Sequence, residues 1–157
     1  MDKTEFIFNP DAYRCATPVQ IRFNDIDILG HLNNTVYFSL FDTGKAEYLQ
    51  QVMKGKMDWQ RVESVIANIN CSFVNSCFYG EKLSVYTRCD ERSEKSFRLH
   101  QMLVNPDTMQ VKAVCDTVMV SYDPDRKISV PLSGLACANL DEFEGHNLHT
   151  PKPNHEN

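Results

Sequence analysis

The chain has 157 residues, of which 42% are apolar and 24% charged, the make-up of one ordinary globular domain with room for a core. Its 16 Lys and Arg against 21 Asp and Glu give a formal charge of −5, which excludes a basic nucleic-acid-binding face but not a small anion held by a few local cations. The first residues lack a cationic start followed by an apolar run, no stretch reaches the length of a membrane span, and the six cysteines include no CxxC pair, so a cytoplasmic protein with reduced core thiols is expected.

Residues 1–16 are mixed, with Phe6 and Phe8 able to add an edge strand or a flap. Residues 17–24 alternate Val19, Ile21 and Phe23 with Gln20, Arg22 and Asn24, the period of a half-buried strand. Asp25–Asn34 reads as a loop in which Gly30 is free to take a positive φ. From Asn33 or Asn34 the period changes. Val36, Tyr37, Leu40, Phe41, Gly44, Tyr48, Leu49, Val52 and Met53 recur at steps of three and four, predicting one long amphipathic helix that stops near Lys54-Gly55. Gly44 on its apolar stripe lets a neighbouring element approach closely.

Four strand-like runs follow, at 62–74, 82–90, 97–104 and 111–122, separated by turn-forming segments. The order is strand, long helix, then antiparallel meander, an α+β layout in which one sheet covers one helix. Residues 1–138 are expected to form the domain. After about Ala138 the chain turns polar, so residues 139–157 are expected to be a loosely ordered tail.

The segment from Asp25 to Tyr37 places a carboxylate, a glycine turn and a helix start within a few residues. Asp27 can attack a carbonyl or activate water, or it can simply close an Asx-turn. Free N–H groups at a helix start can hold an oxyanion, and Asn33 suits the N-cap whether or not they do. His31 is eligible for proton transfer by its near-neutral pKa, or it holds the loop's shape. Tyr37 is a core residue or a hydroxyl reaching a pocket, and Asp42 is a second acid or a structural partner. The spacing fails a calcium loop, because the fifth and twelfth positions from Asp25 are Leu29 and Val36. His31 and His100 stand alone in sequence, so no metal site is expected.

The pattern Asp25-x-Asp27-x-x-Gly30-His31-x-Asn33-Asn34-x-x-Tyr37 resembles the loop-to-helix motif of hotdog-fold acyl-CoA thioesterases, in particular the 4-hydroxybenzoyl-CoA thioesterase-like group. Phe41–Leu49 is similar to that group's mid-helix stretch, with Asp42 in place of Glu and Gly44-Lys45 in place of Ala-Arg. The resemblance spans roughly residues 16–133. It implies a curved antiparallel sheet wrapped around one central helix, and a homodimer or homotetramer with substrate between subunits. By position it implies Asp27 as the catalytic carboxylate and the Asn34 amide as the main oxyanion donor; Gly30 and His31 are the further catalytic candidates, and Asn33 and Tyr37 the substrate-binding ones. The substrate would be acyl-CoA, with no metal or redox cofactor. Thiolate leaves readily, so a carboxylate and an oxyanion hole suffice. Arg88, Arg92, Lys95 and Arg98 cluster about one hairpin, from which Arg92 and Lys95 are candidates for the coenzyme A phosphates. An acyl-carrier-protein thioesterase and a non-catalytic acyl-CoA or protein binder remain the alternatives.

Overall fold

Residues 6–151 are described by the computed structural model of the chain. Its centre is helix α1, Asn34–Val52, which buries Tyr37, Leu40, Phe41, Gly44, Lys45, Tyr48 and Val52, the stripe that three- and four-residue spacing dictates. Asn33 caps it, its side chain accepting from the Thr35 N–H at 3.0 Å. The helix ends where Lys54 and Gly55 take positive φ values of 56° and 77°. Gly44 is the point of closest approach to the sheet: a Cβ there would lie 2.5 Å from Val85 Cγ1 and 3.0 Å from Gln101 Nε2.

The strands are β1 (Cys15–Val19), β2 (Ser64–Phe73), β3 (Leu83–Arg92), β4 (Ser96–Asn105), β5 (Gln110–Asp123) and the short β6 (Ile128–Ser129). All pair antiparallel, in the order β1-β3-β4-β5-β2, with β6 added on β5. This is the hotdog architecture expected from the sequence, a curled sheet around one helix. Inward residues of β3 and β4, including Val85, Cys89, Leu99 and Leu103, are buried against α1. The core falls into two clusters along the helix. One surrounds Tyr37, Leu40 and Phe41 at its start, and the other Tyr48 and Val52 at its end. No helix among the described residues is long and apolar enough to cross a membrane.

Two segments differ from expectation. The first strand lies at Cys15–Val19 rather than 17–24, because it pairs only with β3 and runs out of partner where Val19 meets Leu83, the first residue of β3. Ile21 is still buried, but Phe23 turns outward in a 3-10 turn, Phe23–Asp25. The expected tail contains a second helix, α2, Gly134–Glu144. Ser133 caps its start, accepting from the Ala136 N–H at 3.1 Å, and Gly145 ends it with φ 79°, the residue types that favour these two positions. Leu140 and Leu148 are buried in the second cluster, and Glu144 Oε1 accepts from the Tyr48 hydroxyl at 2.7 Å and the Cys89 N–H at 2.9 Å. Residues 139–151 are therefore part of the packed domain, while 152–157 lie outside the described residues.

Phe6 and Phe8 join no strand. They pack with Tyr13 against Tyr86 and Met102 on the sheet face turned away from α1, where Phe8 and Tyr86 meet edge-on at 4.6 Å. That is the flap alternative for this segment. All six cysteines are free thiols, and Cys71 and Cys115 lie opposite each other across β2 and β5.

Candidate active site at the start of the central helix

The loop before α1 is built by its own backbone. Asp27 N–H donates to His31 O at 2.9 Å, Asn33 N–H to Asp25 O at 2.9 Å, and Gly30 N–H to Asp27 O at 3.0 Å. Ile26 and Leu32 bridge between these rungs, so residues 25–33 form a small hairpin with its tip at residues 28–30. Gly30 has φ 79°. An added Cβ would meet nothing within 4 Å, so the glycine is required by conformation alone. The Leu32 N–H donates to Cys77 O at 3.0 Å, tying the loop to the segment after β2.

Asp25 is the loop's structural carboxylate. It is buried and accepts from the Arg22 N–H at 2.8 Å and from the Arg22 guanidinium at 2.9–3.3 Å. These bonds hold its carboxyl below the usual carboxylate range. Asp27 is half-buried and differently placed. Its Oδ1 accepts from the Leu29 N–H at 2.9 Å and the His31 N–H at 3.4 Å. Its recorded hydrogen bonds all fall on Oδ1 among the described residues, which leaves Oδ2 open. Asp27 thus closes an Asx-turn through one oxygen, with the other left free of protein hydrogen bonds among the described residues.

At the helix start Asn33 receives the Thr35 N–H on its side chain and the Val36 N–H, at 2.9 Å, on its carbonyl. The Asn34 N–H takes no partner among the described residues. It is an unsatisfied donor at the positive end of the helix dipole, whose direction is fixed by the cap. His31 enters through its backbone; its ring is exposed and meets Phe78 edge-on at 5.4 Å. Tyr37 is buried, against Phe73 at 4.9 Å, and burial raises its hydroxyl pKa. Asp42 is exposed and pairs with the buried Lys45 at 3.1 Å, two turns along the helix from the loop.

The two hairpin cations separate. Arg92 has partners within the chain: its guanidinium grips Asp141 at 2.9 and 2.7 Å, and its backbone pairs with Leu148 and Thr150. It fastens α2 to the end of β3, and its partner holds it because the chain folds back 49 residues later. Lys95 sits in the tight β3–β4 turn, its carbonyl accepting from the Ser121 N–H at 2.8 Å. His100 is not isolated in space. The β4/β5 register sets it opposite Asp116, with Nδ1 2.8 Å from Oδ1, and this bond leads the effects that lower the Asp116 pKa. Asp90 joins them with ligand atoms within 4.8 Å, but Arg88 already supplies it with a cation at 2.6 Å.

Sequence reasoning missed the apolar surface around the loop. Phe23, Ile28, Leu29, Phe78 and Tyr79 are all at least half exposed, Ile28 completely so. Phe23 and Tyr79 come within 6.0 Å across the loop's base. The signal was available in Phe78-Tyr79, two aromatic residues in a turn-like stretch, but their meeting with residues 23–31 depends on the long-range bond to Cys77.

Comparison with known proteins follows this geometry. A family model described as the thioesterase-like superfamily matches residues 21–143. A thioesterase from Thermus thermophilus, complexed with coenzyme A and zinc, superposes with a TM-score of 0.78 at 22% identity, over 87% of this chain and 98% of that one. A 1,4-dihydroxy-2-naphthoyl-CoA thioesterase from Synechocystis gives 0.70 at 13% identity, over 80% and 94%. The Bacillus subtilis protein YsmA is 25% identical over 84 residues, 54% of this chain. The chain thus spans about half the length of that curated relative, 56%.

Proposed function

Because the chain belongs to the thioesterase-like superfamily, we propose that it hydrolyses an acyl-CoA thioester to a carboxylic acid and coenzyme A, with Asp27 and the Asn34 amide as its working groups. The observation that carries this reading is the pairing of an Asp27 carboxylate bonded through one oxygen only with an unpartnered N–H at the helix start.

The chemistry follows from what each group offers. Asp27 Oδ2 adds to the thioester carbonyl carbon, and negative charge gathers on the carbonyl oxygen. The Asn34 N–H and the dipole of α1 stabilise that charge. The C–S bond breaks, thiolate departs, and an acyl-aspartate anhydride remains. Water then adds to the anhydride, releasing the acid and restoring the carboxylate. Gly30 and the backbone of His31 keep the carboxylate aimed. Asn33 fixes the helix start, and Tyr37 lines the loop's inner side. Because Arg92 is committed to Asp141, the phosphate contact passes to Lys95.

The working unit is a homodimer joined along β2. That strand is the sheet's last, its outer edge pairs with nothing among the described residues, and Val65, Ile66, Ile69 and Phe73 are 36–45% exposed along it, a ready template for a second strand. Residues 6–13 cover part of the outer sheet face, which favours the dimer over the tetramer. The net charge of −5 suits an extended acidic carrier-protein surface poorly, whereas coenzyme A needs only a few local cations. Purified protein incubated with acetyl-, lauroyl- and benzoyl-CoA should release thiol from at least one of them. Release from none, with lauroyl thioester on carrier protein also inert, would refute the assignment.

A further inference from the structure

A cavity of about 520 Å³ opens at the far end of α1, and nothing in the catalytic reading so far uses it. Leu49 and Val52 of the helix and Phe97 of β4 form an apolar floor, Ala136 and Leu140 of α2 line it from the opposite side, and Ser64, Lys56 and Arg61 are also among the lining residues. The size and the apolar floor are those of a small-molecule site. Helix α2 roofs it, so the cavity exists because residues 134–144 are folded down by Arg92–Asp141 and Tyr48–Glu144.

The cavity cannot serve Asp27 of its own chain. Asn34 and Val52 bound a helix of 19 residues, which at ~1.5 Å per residue separates its ends by roughly 27 Å. A lauroyl chain, advancing roughly 1.2 Å per carbon–carbon bond, reaches only about 14 Å. A second copy removes the difficulty. Ser64, the first residue of β2, borders the cavity, and Phe73, the last, touches Tyr37 beside the catalytic loop. Antiparallel pairing of two β2 edges about a two-fold axis sets the Ser64 end of one copy beside the Phe73 end of the other. Each loop, with its exposed Ile28 and Leu29 tip, then faces the cavity of the opposite copy.

We infer that this α2-roofed cavity receives the aliphatic acyl chain of a thioester whose carbonyl is held by Asp27 of a second copy. The substrate class is accordingly a medium- to long-chain acyl thioester, not acetyl. This rests on the β2-joined thioesterase proposed above, with its site between subunits, and goes beyond it in assigning the receptacle and the chain class.

The test is Ala136→Phe, which puts a ring into the cavity from its wall, with Met53→Trp as a second variant should the first fail to fold. The kcat/KM on lauroyl-CoA should fall at least tenfold more than that on acetyl-CoA. Mixing Ala136→Phe with Asp27→Asn subunits should then restore about one quarter of the wild-type lauroyl-CoA activity, since half of randomly assembled dimers are mixed and each has one intact site of two. An unchanged chain-length ratio overturns the inference, and so does a shifted ratio with no restoration on mixing. If wild-type protein hydrolyses no acyl-CoA, the thioesterase reading fails by itself. Calorimetry with lauric acid then decides the cavity: binding lost in Ala136→Phe sustains its assignment, whereas no binding, or binding equal in both proteins, overturns it.

Discussion

Lys112 is a buried side chain whose loss should reach the Asp25–Asn33 loop. It is 2% exposed, and its Nζ lies 2.6 Å from Glu81 Oε2, donating also to Ser76 O at 2.9 Å and Gln110 Oε1 at 2.7 Å. Glu81 in turn accepts from the Phe78 N–H at 3.1 Å and Asn105 Nδ2 at 3.0 Å. The cluster therefore sets the 76–81 segment, and Cys77 O of that segment receives the Leu32 N–H of the loop. Lys112→Met keeps the stem and removes the charge. Breaking a buried pair from one side costs about 3–5 kcal/mol, and the two donors that Glu81 keeps reduce this to about 2–4 kcal/mol. For a chain of this size that lowers Tm by roughly 5–15 °C.

The pH dependence has a definite sign. Burial works to raise the Glu81 pKa, but Lys112, Asn105 and the Phe78 N–H outweigh it and leave the carboxyl below its usual range. In the wild type, then, the stability Glu81 contributes is present above its unfolded pKa and lost as pH falls through the lower folded value. In Lys112→Met burial dominates, the folded pKa rises, and protonation relieves the variant at a higher pH. The stability gap should narrow between neutral pH and about pH 5. Urea unfolding at several pH values measures this, and Glu81→Leu added to Lys112→Met should recover at least half of the loss. A loss below about 1 kcal/mol at neutral pH, or a gap that widens on acidification, refutes the reasoning.

Other substitutions probe other joints. Gly44→Ala gains roughly 1 kcal/mol of helix propensity but drives its methyl into Val85, so thermal melts should show a net loss of about 1–2 kcal/mol. Arg92→Leu frees α2, and protection of the 134–144 amides from hydrogen exchange should drop while β4 and β5 stay protected. The Arg92 guanidinium holds Asp141 below the usual range, so the stability Asp141 contributes is present above its unfolded pKa, near pH 4, and is lost as pH falls through its lower folded value. Asp141→Asn should lie below wild type at neutral pH and converge with it under acid. In a single turnover in heavy-oxygen water, followed by peptide mass analysis, label should enter Asp27 as water opens the anhydride at Cγ; label confined to the product acid would contradict opening at that carbon.

The parts of this protein legible in its sequence are those written locally. The loop and helix start at residues 25–37 need only that stretch, whose glycine, cap and carboxylate declare a turn followed by a helix. Helix α1 is visible because its buried side fits a 3.6-residue repeat from Tyr37 to Val52. What escaped is what long-range pairing decides. β1 stops where β3 begins, a limit no local alternation shows. The polar residues of α2 look like a solvated tail until Asp141 meets Arg92 and Glu144 meets Tyr48, although Ser133 and Gly145 did mark its ends. Arg92 reads as a surface cation for the same reason, and His100 as solitary until the β4/β5 register brings it Asp116.

The most direct test of the account compares turnover with binding in Asp27→Asn, using the acyl-CoA that the wild type hydrolyses best. If Asp27 is the attacking group, kcat should fall at least about a hundredfold while the Kd for that acyl-CoA stays within about threefold and the Tm is held. A variant that binds as before and still turns over at a rate close to wild type would contradict the assignment of residue 27 to the chemistry.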